Sequence, residues 1–471
     1  MLTLADLLEG ITGRRPEIPE VKIKDVVIDS REASEGSLFI ALRGEHEDGH
    51  DFIADAFERG AIAAIAEKRA RDYGLGVNFI VGDAILASIP YPLTPACVIV
   101  KDSLKALQQL AAYWRRKFTC EVIGVTGSVG KTTTKETIAS VLVQRFRTLK
   151  SEGNYNNEIG LPLTLLRLDP SYEKVVLEMG MYALGEIAEL ASIARPRIGV
   201  VTKVSRTHLE RLGTIERIAQ AKAELVEALP ADGVAILNGD DPLIRPMAAK
   251  TKARVIYYGL DPGCDIWASD VESHGLEGIS FLIHHCGQSI RAQLPSLGRH
   301  NVYTALAAAA VGLVEGESWD EIVAGLRGLS VQLRLLAVPG MKGTTIIDDT
   351  YNSSPTSSLA ALNLLDELEG RKIAVLGDML ELGSFEEEGH RIVGRKAAEV
   401  VAKLIAVGPR GRIIGEEALR SGMKEEDVLF AADNAQAIEH LNRILAPGDL
   451  ILVKGSRGMR MEEIVAALTR D

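Results

Sequence analysis

The sequence predicts an α/β protein of three successive domains, each organised around a largely parallel sheet. Three observations carry this expectation. At 471 residues the chain exceeds the size at which a single hydrophobic core stops growing. Short β-branched runs alternate with stretches of helical periodicity along most of its length. One of those runs passes through a glycine-rich turn directly into a helix. A hydrophobic fraction of 46% and a charged fraction of 25% are those of an ordinary globular chain, so three cores can be filled.

The chain opens on Met1-Leu2-Thr3-Leu4-Ala5-Asp6-Leu7-Leu8-Glu9, which reads as an amphipathic helix. Acids stand where a secretory signal requires a basic region, and the most apolar stretch, 305–314, is shorter than the roughly 20 residues needed to span a bilayer. A cytoplasmic protein without membrane insertion is expected. The formal net charge of -12 excludes general attraction to nucleic acid or anionic lipid, so any phosphate site must be local. Cys97, Cys120, Cys264 and Cys286 are widely separated and form no CxxC pair; buried free thiols are expected rather than a zinc site or a disulfide framework.

The first domain is expected over 1–100, with strands at 26–28 and 37–40, a helix at 54–59 and a proline-rich loop at 89–95 near the boundary. The second, 101–330, begins with a helix at 103–117 whose Leu104, Leu107, Leu110, Ala111 and Trp114 fall on one face. A strand over 120–126 leads into the glycine turn. Further strands are expected at 174–177, 198–201 and 234–237, an antiparallel addition over 266–294, and a helix at 302–314. The third domain, 331–471, returns to strand-then-helix alternation, with strands at 345–347, 373–376, 404–407 and 450–453; a doubly wound, Rossmann-like sheet accounts for it.

The turn Thr126-Gly127-Ser128-Val129-Gly130-Lys131-Thr132 lies where backbone N–H groups and a positive helix end can hold phosphate oxygens. Lys131 would neutralise the β and γ oxygens, and the Thr132 hydroxyl would ligate magnesium. The general phosphate-loop pattern requires glycine where this chain has Val125, with Gly124 one position too early. Even so, the Gly-Lys-Thr-Thr-Thr context favours a P-loop ATPase-type central domain binding ATP over a tight turn with an incidental lysine.

The same departure characterises the TGxxGKT[TS] loop of the Mur ligase family. Other blocks resemble that family in order: Ile28-Asp29-Ser30-Arg31, Asp48-Gly49-His50, Asn154-Tyr155-Asn156-Asn157-Glu158, Glu178-Met179-Gly180, His208-Leu209-Glu210, Ala221-Lys222-Ala223-Glu224, Gly298-Arg299-His300-Asn301, Asp348-Asp349-Thr350-Tyr351-Asn352-Ser353-Ser354-Pro355, Gly377-Asp378-Met379 and Lys454-Gly455-Ser456-Arg457-Gly458. The resemblance covers nearly the whole chain. It is strongest to those members that add D-alanyl-D-alanine to a UDP-muramyl tripeptide.

The resemblance implies an ATP-dependent carboxylate–amine ligase of peptidoglycan precursor synthesis, acting through an acyl phosphate on small-molecule substrates, and a monomer. It implies a UDP-substrate domain at 1–100, an ATP domain at 101–330 and a domain for the incoming amine at 331–471. Gly127, Ser128, Val129, Gly130, Lys131, Thr132 and Thr133 would hold the triphosphate, with His300 and Asn301 at adenine, Asp349 at ribose and Arg334 reaching the phosphates. Lys131, Lys222 and His208 would carry catalysis. Mg2+ would be held by Thr132, Glu178, His208 and Lys222, the last as a carbamylated lysine. Ser30, Arg31, Asn156, Asn157, Tyr351 and Asn352 would meet the substrates. Taken alone, His208 reads as an exposed or capping histidine, Lys222 as a surface lysine and Asp349 as a turn acid.

Two departures from the family are Thr304, where a second asparagine is usual, and the segment 181–184. A diaminopimelate- or lysine-adding ligase, a folylpolyglutamate synthase and a P-loop kinase remain alternatives. The kinase reading leaves Glu178, His208 and Lys222 without a common purpose.

Overall fold

The structure, a computed structural model, describes residues 1–44, 47–67, 78–81, 95–207, 209–329 and 336–469. The proline-rich stretch 89–95, apart from Pro95, lies outside them. The chain packs as two compact units, Met1–Gly124 with Phe146–Gly180 and Glu186–Arg197, and Val125–Arg145 with Met181–Gly185 and Ile198–Asp471.

The N-terminal region contains α1 (Leu4–Thr12), β1 (Val26–Val27), β2 (Leu38–Ile40), α2 (Ile53–Glu58), β3 (Ala63–Glu67), β4 (Asn78–Val81), β5 (Ala96–Val100) and α3 (Ser103–Arg115). Its sheet has the order β1-β2-β3-β5-β4 with every pair parallel. Phe39, Ile53, Ala64 and Cys97 form part of its core. The helix α1 begins at a capping box in which Thr3 and Asp6 satisfy each other's backbone N–H groups. Asp6 does more than cap. Its carboxylate also accepts from Lys117 Nζ at 2.6 Å, Arg15 Nη1 at 2.8 Å and the Tyr113 hydroxyl at 3.2 Å, tying α1 to α3. From α3, Trp114 Nε1 donates to the Leu168 carbonyl and Arg115 Nε to the Ala194 carbonyl, each at 3.0 Å.

The central region contains β6 (Glu121–Thr126), α4 (Lys131–Leu142), β7 (Thr148–Lys150), α5 (Gly160–Leu166), β8 (Lys174–Glu178), α6 (Glu186–Ala194), β9 (Ile198–Val201), α7 (Leu209–Leu212), α8 (Ile215–Glu227), β10 (Val234–Asn238), β11 (Arg254–Gly259), β12 (Ile266–Ser273), β13 (Ile279–His285), β14 (Gln288–Leu294), α9 (Val302–Val314) and α10 (Trp319–Arg327). Its sheet runs β14-β13-β12-β11-β10-β9-β6-β8-β7. The expected antiparallel addition is β12-β13-β14, joined to the rest through the parallel pair β11-β12. The helix expected at 302–314 is α9.

The C-terminal region contains β15 (Leu336–Gly340), β16 (Thr344–Asp349), α11 (Pro355–Glu367), β17 (Lys372–Leu376), α12 (Glu386–Val400), β18 (Lys403–Val407), α13 (Gly408–Arg420), β19 (Val428–Ala431), α14 (Asn434–Ile444), β20 (Leu450–Lys454) and α15 (Glu462–Leu468). The sheet order is β15-β16-β20-β17-β18-β19. Along β17, Ile373 and Val375 enter the core on one face while Ala374 and Leu376 enter the core on the other. A strand buried on both faces reads as a continuous apolar run, which is why this sheet is visible in the sequence. The doubly wound sheet gains one antiparallel strand, β15, at its edge. Pro339 argues against a strand there, but an edge tolerates a residue that cannot donate to the ladder.

The cysteine expectation needs one correction. Cys97, Cys120 and Cys264 are buried free thiols, whereas Cys286 is exposed, because it occupies the β13–β14 turn at φ +47°. Among the described residues no helix is long and apolar enough to cross a membrane.

Burial alone would raise the Asp6 pKa, but Lys117, Thr3 and Arg15 outweigh it and hold the carboxyl well below the usual range. A depressed folded-state pKa contributes stability that is present above the unfolded value of about 3.9 and is lost as pH falls toward the folded value. Asp6→Ala is therefore expected to lower unfolding stability by roughly 1–3 kcal/mol at neutral pH. Denaturant titrations should show that deficit shrinking progressively as pH falls below about 4; a deficit independent of pH would remove the role given to the Asp6 charge.

Candidate active site

The strand β6 ends at Thr126 and the helix α4 starts at Lys131, leaving four residues to turn the chain. Gly127 and Gly130 take φ of +154° and +86°, values that exact a steric cost from any residue with a Cβ. Gly130 is the N-cap of α4 and supplies no side-chain cap, and the positive N-terminal end of a helix favours an anion. Ser128, Val129, Lys131, Thr132 and Thr133 are all partly exposed around this turn. Lys131 Nζ donates to the Gly127 carbonyl at 3.0 Å, folded back over the loop.

The loop is held from behind by the segment that follows β9. The Thr202 hydroxyl donates to the Val129 carbonyl at 2.7 Å, Ser128 N–H to the Lys203 carbonyl at 2.6 Å, and Ser205 N–H to Ser128 Oγ at 3.0 Å. That segment is fixed in turn by the end of β10: Asn238 Nδ2 donates to the Thr202 carbonyl at 2.8 Å, and Asp241 accepts from Val204 N–H at 2.9 Å. Thr202, Ser205, Asn238 and Asp241 were not singled out from the sequence. Their signal was the polar run Asn238-Gly239-Asp240-Asp241 directly after a buried strand, at the carboxyl end where α/β sheets hold ligands.

Lys222, on α8, is 2% exposed, which rules out the surface-lysine reading. Burial drives its pKa well below the ordinary lysine value, and the charge of Lys131 adds to the effect. Among the described residues no acid pairs with it. Two residues on, Glu224 accepts from Gly185 N–H at 2.7 Å, and Arg211 of α7 lies over the Tyr182 ring at 4.7 Å, so the departing segment 181–185 is anchored to α7 and α8. His208 and Arg334 fall outside the described residues.

Glu178 closes β8 and is buried. Its carboxylate accepts from Asn156 Nδ2 at 2.8 Å, while its N–H donates to Ser151 Oγ at 3.0 Å. Asn157 is engaged locally: its Oδ1 accepts from Gly160 N–H at 2.9 Å at the start of α5. In the N-terminal sheet region Ser30 is buried, and the Arg31 guanidinium turns outward onto Asp29 at 2.6 Å.

His300 is exposed in the turn before α9, with protein packed around its ring. That packing, with the charges of Lys203 and Lys454, lowers its pKa to about 4, so it is neutral at physiological pH and suited to a base edge. Asn301 differs. It is buried, and its Nδ2 donates to the Leu297 carbonyl at 2.7 Å, closing the turn before α9. Asp349 ends β16, buried, and accepts from Lys454 Nζ at 2.6 Å; the same ammonium donates to the Asn352 carbonyl at 2.8 Å. In the sequence Lys454 stands out only as part of a block shared with the family, because nothing local marks it as the partner of a residue 105 positions away. Tyr351 is half-buried and Asn352 exposed.

Three family models match the chain: the Mur ligase family catalytic domain at residues 22–115, the Mur ligase middle domain at 125–312 and the Mur ligase glutamate ligase domain at 333–457. The UDP-N-acetylmuramoyl-tripeptide–D-alanyl-D-alanine ligase of Bacillus subtilis (strain 168) is 39% identical, over 99% of this chain and 97% of its own. That of Escherichia coli (strain K12) is 35% identical, over 100% and 99%. Among solved structures, MurF from Acinetobacter baumannii superposes with a TM-score of 0.83 at 32% identity, covering 98% of each chain. MurF ligase from Thermotoga maritima in complex with ADP gives 0.79 at 29%, over 96% of this chain and 98% of that one. With three consecutive family domains matched and relatives above 30% identity along its whole length, the chain belongs to the Mur ligase family.

Proposed function

We infer that this ligase joins D-alanyl-D-alanine to UDP-N-acetylmuramoyl-tripeptide at the expense of ATP, through an acyl phosphate, with release of ADP and phosphate. The observation that carries the reading is the full-length similarity to ligases bearing that activity in their names, across 99% of this chain in the Bacillus relative. A cytoplasmic site of action accords with the nucleotide-linked substrates. Folylpolyglutamate synthase of Mycobacterium tuberculosis, at 17% identity, shares the fold alone.

The chemistry divides into two displacements. A carboxylate oxygen of the acceptor attacks the γ-phosphorus and ADP leaves; the dipeptide amine then attacks the acyl carbon and phosphate leaves. Both need the triphosphate held and its charge neutralised. N–H groups over Gly127–Thr133, other than the Ser128 N–H held by the Lys203 carbonyl, would cradle the phosphates, and the Lys131 ammonium would exchange the Gly127 carbonyl for phosphate oxygens. Neutral His300 would face the base, and Asp349, its carboxylate oriented by Lys454, the ribose.

The residues present fit Mg2+. The Thr132 hydroxyl, in the first turn of α4, offers a hard oxygen donor. Such a donor suits an ion that keeps phosphate and water among its ligands, where it would neutralise developing charge. Lys222 as an ammonium does not fit such a site. Depression of its pKa leaves a neutral amine able to capture carbon dioxide, and the carbamate would supply a carboxylate there, with His208 as a further ligand.

Incubation with ATP, Mg2+, UDP-muramyl tripeptide and candidate amines should release phosphate and yield the pentapeptide mass with D-alanyl-D-alanine. Turnover with a single amino acid and none with the dipeptide would point to another member of the family. Lys131→Ala is expected to reduce the rate at least about 100-fold, on the scale of removing one transition-state donor. For Lys222, 13C-labelled bicarbonate should give a carbamate carbonyl resonance that is absent from Lys222→Ala and fades as pH is lowered and the amine protonates. A wild-type spectrum without that signal would remove carbamylation.

A further inference from the structure

The turn after β20 carries two cations, and the structure uses them differently. Lys454 is 2% exposed and is committed to Asp349 and the Asn352 carbonyl. Three residues on, Arg457 is exposed, and its guanidinium carbon lies 5.2 Å from the centroid of the Tyr351 ring. Among the described residues no carboxylate forms an ion pair with Arg457, whereas Arg460 on the same turn pairs with Glu463 at 2.9 Å. The chain has 65 acids to 53 lysines and arginines, so an acidic partner would have been readily supplied.

A ring beneath a guanidinium steadies it while leaving N–H groups at its edge open, and that edge matches a carboxylate through two parallel hydrogen bonds. The surroundings hold this arrangement in place. Strands β16 and β20 are parallel neighbours with Asp349 opposite Lys454, so the loops bearing Tyr351 and Arg457 leave side by side at the carboxyl ends of adjacent strands. That is the edge at which open α/β sheets take ligands. The Lys454 ammonium bridges the two loops, and Ser456 anchors the turn to the loop after β17: Leu380 N–H donates to its Oγ at 2.8 Å, and its own N–H donates to the Asp378 carbonyl at 3.0 Å.

We propose that Arg457, seated on Tyr351, binds the terminal carboxylate of the incoming dipeptide. The proposal rests on the ligase reading above, in which the second substrate offers an amine at one end and a carboxylate at the other. A guanidinium that takes the charged end selects the free acid over its amide. Lysine, a point charge without the fork, would do so less well.

The test compares D-alanyl-D-alanine with D-alanyl-D-alaninamide as amine substrate, at saturating ATP and UDP-muramyl tripeptide, for wild type, Arg457→Gln and Arg457→Lys. Phosphate release and product mass give kcat/KM, and circular dichroism melts verify folding. Wild type is expected to prefer the acid by roughly 10- to 100-fold, the scale of hydrogen bonds to a charged group. Arg457→Gln should bring that ratio close to one through a higher KM for the acid, and Arg457→Lys should keep part of it. A wild type that uses acid and amide equally, or an Arg457→Gln enzyme that keeps the full preference, would overturn the assignment. Should Arg457→Gln fail to fold, the wild-type ratio and Arg457→Lys decide. Absence of any wild-type turnover with the dipeptide would instead defeat the ligase reading itself, so the two failures are distinguishable.

Discussion

A threonine hydroxyl occupies the space into which a Cβ on Gly127 would have to project, and the phosphate loop takes its shape around that contact. Thr202 comes from the end of β9, and its bond to the Val129 carbonyl satisfies an acceptor that a tight turn leaves unpaired. With Asn238 and Asp241 behind it, the segment 202–205 is a rigid backing against which the loop is pressed. The consequence is electrostatic. The positive end of α4 is fixed in place before any ligand arrives, so it costs no reorganisation when charge develops.

Two buried lysines show how the same side chain serves opposite ends. Lys454 is paired with Asp349 and holds that carboxylate in place. Lys222 has no acidic partner among the described residues and stands under the influence of Lys131, so its charged form is disfavoured. One is held in an ion pair. The other is left without an acid beside it among the described residues, in a chain whose net charge of -12 would have made compensation easy to provide.

Much of the fold was legible from local pattern. Strands buried on both faces appear as unbroken apolar runs, and β17, β18 and β20 fall where those runs lie. The loop between β6 and α4 is visible because its glycines are demanded by backbone geometry rather than by a distant partner. The strands β7 and β11 and the edge strand β15 were not legible: β7 has three residues, and β15 carries a proline that only its edge position permits. Cys286 went wrong for a related reason, since a cysteine's habit of burial says nothing about a turn at positive φ.

By itself the sequence determined the alternation of strands and helices, the phosphate loop and the order of blocks shared with the family, because periodicity and backbone-constrained glycines act over a few residues. Tertiary structure alone decided which groups come together: Thr202 behind a loop 73 residues away, Lys454 on an acid 105 residues away, and Arg457 over Tyr351. Such partners are set by which strands become neighbours in a sheet, and a one-dimensional pattern specifies the strands without specifying their neighbours.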